Sequence, residues 1–162
     1  YKAVKEVTGI ELDIKWVNDL YYHRKKVCGI LTEAITDFES GNIEFAIVGI
    51  GLNLYETAEG YPEELQGIAG GLFTDRDNAS ELDRNRLVAA IINNLLIETQ
   101  EMQLPEEYID QNIVPGKKIQ IRDGEHVREA QALEICQDGR LKVREMDGTE
   151  SMLSYGEISI II

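Results

Sequence analysis

Ile14-Lys15-Trp16-Val17-Asn18-Asp19-Leu20, the basic stretch His23-Arg24-Lys25-Lys26, Val27-Cys28-Gly29-Ile30-Leu31-Thr32-Glu33 and Ala46-Ile47-Val48-Gly49-Ile50-Gly51-Leu52-Asn53 decide how this chain folds. Leu12, Ile14 and Trp16 alternate with Glu11, Asp13 and Lys15, the period of a half-buried strand. Asn18 and Asp19 are turn formers, and Leu20-Tyr21-Tyr22 resumes strand character before the basic turn. Residues 27–35 form the next strand pattern, Ser40-Gly41-Asn42 a tight connection, and 43–51 a third strand. Short connections between successive strands predict an antiparallel meander. Phe45-Ala46-Ile47-Val48 is continuously apolar, which predicts a central strand covered on both faces.

Upstream, Ala3, Val4 and Val7 have helical spacing and Gly9 stops the pattern as a glycine just past a helix end does. The sequence opens inside that helix and without methionine, so it is expected to be a piece of a longer protein. Downstream, 55–77 carries Gly60, Pro62, Gly67, Gly70 and Gly71 with weak periodicity, a loop with a short helix. Asp83 then caps a helix predicted from about Arg84 to Met102, with Leu87, Val88, Ile91, Ile92, Leu95 and Leu96 as one apolar stripe. Residues 106–112 predict a further helical turn. Beyond Pro115-Gly116, turn signals at Asp123-Gly124, Asp138-Gly139, Asp147-Gly148 and Tyr155-Gly156 separate five short strands, at 118–122, 127–135, 141–145, 151–154 and 158–162. That spacing predicts a small five-stranded barrel. The expected domains are 1–114, an α+β domain with a mixed, mostly antiparallel sheet, and 115–162.

Of the 162 residues 43% are hydrophobic and 28% charged, an ordinary globular composition, and no apolar run approaches the roughly 18 residues of a membrane span. The opening residues lack a secretory pattern, and two cysteines are too few for a disulfide framework, so a cytoplasmic location is expected. Cys28 suits strand packing better than chemistry. A net charge of −14 argues against nucleic acid as a partner of this segment. Against that background Arg24, Lys25 and Lys26, with Lys15 near them in sequence, invite an anionic small ligand. On charge alone the simpler reading is a solvated hairpin tip. His23 and His126 are isolated and lack metal-ligand spacing, so no protein-bound metal site is expected.

Lys15-Trp16-Val17-Asn18-Asp19-Leu20, Lys25 to Glu33 and Gly49-Ile50-Gly51-Leu52-Asn53 resemble, in order and spacing, the biotin protein ligase family. The segment after Pro115 is similar to that family's small C-terminal domain. The resemblance implies the later part of a class II synthetase-like catalytic domain followed by an Src-homology-3-like barrel. It implies an enzyme that joins biotin to ATP, with Mg²⁺ accompanying the nucleotide, to give biotinyl-5′-adenylate and pyrophosphate. The biotinyl group then passes to a lysine of a biotin carboxyl carrier protein. Lys26 matches the catalytic lysine, which meets the biotin carboxyl and the adenylate phosphate; an ammonium there neutralises developing charge. Asp19 matches an acidic residue that orients the incoming lysine or accepts its proton, unless it is only a turn aspartate held by its own backbone. Gly29, Ile30 and Leu31 would lie against the biotin rings, with Gly29 also readable as a close crossing of two strands. Gly49 and Gly51 would let main chain approach the adenylate, and Asn53 would read the adenine edge.

The family usually has proline where Val17 stands and often alanine where Cys28 stands. Its Gly/Arg-rich loop is absent, since no Gly-Arg-Gly occurs here. The 162 residues are therefore expected to carry part of a site and to be inactive alone. A homodimer through the sheet edge is compatible with the resemblance. Two other readings stand beside it: a non-catalytic adenylate-sensing or docking module built on the barrel, and a lipoate ligase, which the Lys-Trp-x-Asn-Asp and Gly-Ile-Gly-Leu-Asn blocks disfavour.

Overall fold

The computed structural model describes residues 1–37, 39–77, 82–101 and 103–161. In chain order its elements are α1 (Lys2–Thr8), β1 (Asp13–Lys15), β2 (Asp19–Tyr22), β3 (Lys25–Thr36), β4 (Ile43–Leu52), a single 3-10 turn (Glu63–Leu65), α2 (Arg84–Glu101), α3 (Glu106–Asp110), β5 (Lys118–Asp123), β6 (His126–Ile135), β7 (Leu141–Glu145), β8 (Glu150–Leu153) and β9 (Glu157–Ile160). The α+β class and the antiparallel meander stand as expected. Met102 and Ile162, the expected ends of the long helix and the last strand, lie outside the described residues.

Packing divides the chain differently from the boundary expected at 114/115. One compact unit is 18–81, and the other joins 1–17 to 82–162. Backbone pairing explains the second: the Ile14 amide donates to the Gln111 carbonyl at 2.8 Å, and the Ile113 amide to the Ile14 carbonyl at 2.9 Å. Trp16 and Val114 are buried in one core with Ile119, Ile121, Leu141 and Val143 of the five-stranded sheet. The Trp16 indole N–H donates to the Gly139 carbonyl at 2.9 Å, which satisfies the one polar group that ring would otherwise bury. That sheet is antiparallel, in the order β8-β7-β6-β5-β9. Gly9, at φ 73°, ends α1 as expected. Burial pushes the Tyr108 phenol up to about 12 while its hydroxyl donates to the Val17 carbonyl at 2.8 Å.

The long helix starts where its cap predicts, with Asp83 Oδ1 accepting from the Asn85 and Arg86 amides at 2.9 and 3.0 Å. Its expected single apolar stripe is split. Leu87 and Ala90 are buried, whereas Val88, Ile92, Leu95 and Leu96 are exposed. Helical spacing marks which side chains share a face and does not supply the surface that buries them.

In the unit 18–81, β2, β3 and β4 pair antiparallel in that order. The expectation that 43–51 forms a central strand covered on both faces is corrected: β4 ends the ladder, with Phe45 47% and Ile47 57% exposed. An apolar run on both faces states what a strand can bury, and pairing decides where it lies. The turn between β2 and β3 is also tighter than the four-residue basic stretch suggested. Tyr22 pairs with Lys25, so only His23 and Arg24 turn, at φ 48° and 66°. Positive φ at both positions is the two-residue turn that matches strand twist, and it favours Asn-Gly. Replacing His23 by Asn together with Arg24 by Gly is expected to stabilise the protein by roughly 1 kcal/mol, read as a higher urea midpoint at constant slope.

Candidate active site

Shortening the turn moves Lys26 into β3, as its second residue. What aims its side chain is a bulge. Leu20 pairs with Cys28 but Tyr21 pairs with Lys26, leaving Val27 as an extra residue on β3. In a regular strand Lys26 and Gly29, three apart, would face opposite sides. The extra residue resets the alternation. Val27 and Cys28 are consequently both buried, and burial pushes the Cys28 thiol pKa up, as suits a packing residue rather than a reactive one. Lys26 emerges on the side of Gly29: a Cβ on Gly29 would lie 3.2 Å from Lys26 Cε and 3.3 Å from Nζ.

Asp19 pairs with Gly29 across the β2–β3 ladder and joins the same group. Its Oδ1 lies 2.6 Å from Lys26 Nζ, and the two side chains are 16% and 41% exposed. A pair this open contributes on the order of 0–1 kcal/mol to stability, so its consequence is geometric: it sets the ammonium beside Asp19 and Gly29. Asn18 is structural, its carboxamide N–H donating to the Ile30 carbonyl at 2.5 Å while the Ile30 amide returns a bond to the Asn18 carbonyl.

The other expected residues fall beside this group along the β3–β4 ladder. Gly51 pairs with Gly29, Gly49 with Leu31, and Ile30 with Ile50. A Cβ on Gly51 would stand 3.8 Å from the Gly29 carbonyl, so three glycines leave a bare strip of main chain beside the lysine. Ile30 is half-buried and Leu31 exposed. Asn53 follows β4, and its carboxamide N–H donates to the Gly70 carbonyl at 3.1 Å. One of its two N–H donors is therefore engaged within the chain, and the other, with the carboxamide oxygen, is left for any adenine contact.

The pairing partners of Lys26 beyond β2 could not be read from the sequence. The Lys26 amide donates to the Ile68 carbonyl at 2.7 Å, and the Gly70 amide donates to the Lys26 carbonyl at 3.0 Å. The adjacent glycines 70 and 71 were the available signal, though a glycine pair in a loop does not say which strand it will approach. Among the described residues no group of three or more His, Cys, Asp or Glu is placed to hold a metal ion, and no helix is long and apolar enough to cross a membrane.

Residues 1–53 match the model of the biotin/lipoate A/B protein ligase family. Among curated proteins, the chain is 33% and 34% identical over 96 residues to the bifunctional ligase/repressor BirA of Bacillus spizizenii and of Bacillus subtilis. Each alignment covers 59% of this chain and 27% of the relative, so the chain spans about a quarter of those proteins. Among solved structures it is similar to the apo biotin protein ligase of Aquifex aeolicus, with a TM-score of 0.73 and 22% identity over 98% of this chain and 69% of that one. The same enzyme in complex with biotin and ATP gives 0.69 and 23%, over 98% and 66%. Residues 1–53 are thus similar to the biotin/lipoate A/B protein ligase family. The fold is that of the Aquifex aeolicus biotin protein ligase, the fold that the resemblance of the three sequence blocks implies.

Proposed function

We propose that this chain is the adenylate-handling part of a ligase that activates biotin with ATP and passes it to a lysine on a carrier protein. The observation that carries this reading is the convergence of Lys26, Asp19 and Gly29, with the ammonium fixed beside a strip of glycine backbone. In the first step a biotin carboxylate oxygen attacks the α-phosphorus of ATP and pyrophosphate departs. Lys26 brings one positive charge to the place where carboxylate and phosphate, both anionic, must meet. In the second, the acceptor amine attacks the acyl carbon of biotinyl-5′-adenylate and AMP departs, its phosphate charge balanced by the same ammonium.

Asp19 serves this scheme first by holding the ammonium. The attacking amine must also lose a proton, and the second carboxylate oxygen of Asp19, beside the Lys26 ammonium, is the base assigned to take it. Leu31, two residues beyond Gly29 on β3 and so on its face, gives an apolar neighbour for the biotin rings, and Gly29, Gly49 and Gly51 admit ligand to within main-chain distance; Ile30 backs the strand from the other face. Mg²⁺ enters with ATP as part of the substrate. The acceptor is a biotin carboxyl carrier domain, and the setting is cytoplasmic. Since no Gly-Arg-Gly occurs in the 162 residues, little or no turnover is expected from them alone.

Calorimetric titration of the whole protein with a non-hydrolysable biotinyl-5′-adenylate analogue tests the reading. Lys26→Ala is expected to weaken binding at least tenfold, consistent with losing one charge-assisted contact, whereas Lys118→Ala leaves it unchanged. Equal affinity in Lys26→Ala and the parent would remove Lys26 from the site and favour a non-catalytic docking module.

A further inference from the structure

The Ile68–Gly70 segment grips Lys26 from the side opposite β2. Its Ile68 carbonyl and Gly70 amide bond both main-chain groups of Lys26, at 2.7 and 3.0 Å, so that Ala69 stands in a parallel bridge with the lysine. The segment is itself fastened to the end of β4: the Gly70 carbonyl accepts from the Asn53 carboxamide at 3.1 Å, and the Leu72 amide donates to the Asn53 carbonyl at 3.0 Å. Two glycines make the approach possible. A Cβ on Gly70 would lie 2.8 Å from both Cβ and Cδ of Lys25, and one on Gly71 would lie 2.4 Å from the Tyr55 carbonyl carbon. The Cβ of Lys25 is anchored to β3 and cannot swing away, so a side chain at position 70 must displace the strand next to Lys26. Lys25 is also tied outward, its ammonium 3.5 Å from Glu56 Oε1.

We infer that Gly70 is a positioning residue for Lys26, and that the Ile68–Gly70 segment locked by Asn53 is the clamp that keeps the ammonium on Asp19. The two-residue turn and the bulge choose the face on which Lys26 emerges; the clamp holds its main chain there. The catalytic consequence rests on the ligase reading, but the clamp can be measured without it.

Trace acetylation of the whole protein with acetic anhydride, followed by mass spectrometry, gives the reactivity of Lys26 relative to Lys118 as an internal reference. An ammonium held by a carboxylate acylates slowly. Gly70→Ala, folded as judged by circular dichroism, is expected to raise the Lys26 ratio at least threefold, and Asn53→Asp, which removes the donor to the Gly70 carbonyl, to raise it in the same direction. The second variant keeps the test open if the first fails to fold. An unchanged ratio in a folded variant would overturn the clamp. Adenylate formation is then assayed separately in Gly70→Ala, since Asn53 is itself assigned to adenine: a kcat lowered tenfold or more with KM for ATP within twofold supports the positioning role. A raised labelling ratio with unchanged turnover supports the clamp while removing Lys26 from the chemistry.

Discussion

On the ligase reading proposed above, Gly29→Val in the whole protein is expected to lower the rate of biotinyl-5′-adenylate formation about a hundredfold, as a displacement near 1 Å of a reacting group does. The argument is steric. Even a bare Cβ at position 29 would stand 3.2 Å from Lys26 Cε and 3.7 Å from Asp19 Oδ1. For alanine the flexible end of the lysine can yield by a few tenths of an ångström, and the loss should be small. The branched methyls of valine fill the space the ammonium occupies and push it off Asp19. Single-turnover measurement of adenylate with both variants gives the comparison. A valine enzyme as fast as its alanine counterpart would show that the lysine can act from elsewhere, and the assignment of this group would fall. Fold damage is separable, because Gly29 is only half-buried and its strand is paired on both edges.

Trp16→Ala is expected to destabilise the protein by about 3–5 kcal/mol, a large share of the roughly 5–15 kcal/mol that holds a typical domain folded. The indole is 2% exposed, lies in one core with the five-stranded sheet, and gives its N–H to the Gly139 carbonyl. Truncation leaves both a cavity and an unpaired carbonyl, and the nearby backbone bonds of Ile14 to Gln111 and Ile113 hold the walls apart. A urea unfolding series measures the loss. Trp16→Phe, which fills most of the volume but donates nothing, should retain more than half of it. A loss below 1 kcal/mol for alanine would show that the ring is not part of this core.

Trp16 also shows why the division of the chain was not legible. Alternation with Leu12 and Ile14 marks it as an inward residue, but period-2 patterning carries no information about which sheet it will meet. The nearest sheet in sequence is β2–β3–β4, and the core that holds it is built from residues a hundred positions away. The boundary expected at Pro115-Gly116 is a local signal, a proline-glycine pair shortly before β5 begins at Lys118. It does not coincide with the division by packing, which depends on contacts distant in sequence.

The site divides along the same line. Which residue types are present, and that three spaced blocks belong together, are properties of the sequence. The strands, the N-cap at Asp83, the stop at Gly9 and the five-strand rhythm after Pro115 are local as well, and each is legible because propensity, capping and turn chemistry act within a few residues. Three things required the folded chain. The face on which Lys26 emerges depends on one extra residue in β3 relative to β2, which no single strand records. The exposure of Phe45 and Ile47 depends on what packs over the faces of β4, which its own apolar run does not record. The grip of Ile68 and Gly70 on Lys26 joins segments forty residues apart through main-chain groups, which every residue carries and which leave no trace in side-chain pattern. Sequence alone therefore determined the chemistry this protein has available; register and long-range pairing decided where that chemistry points, because direction is set by the partner strand rather than by the residue itself.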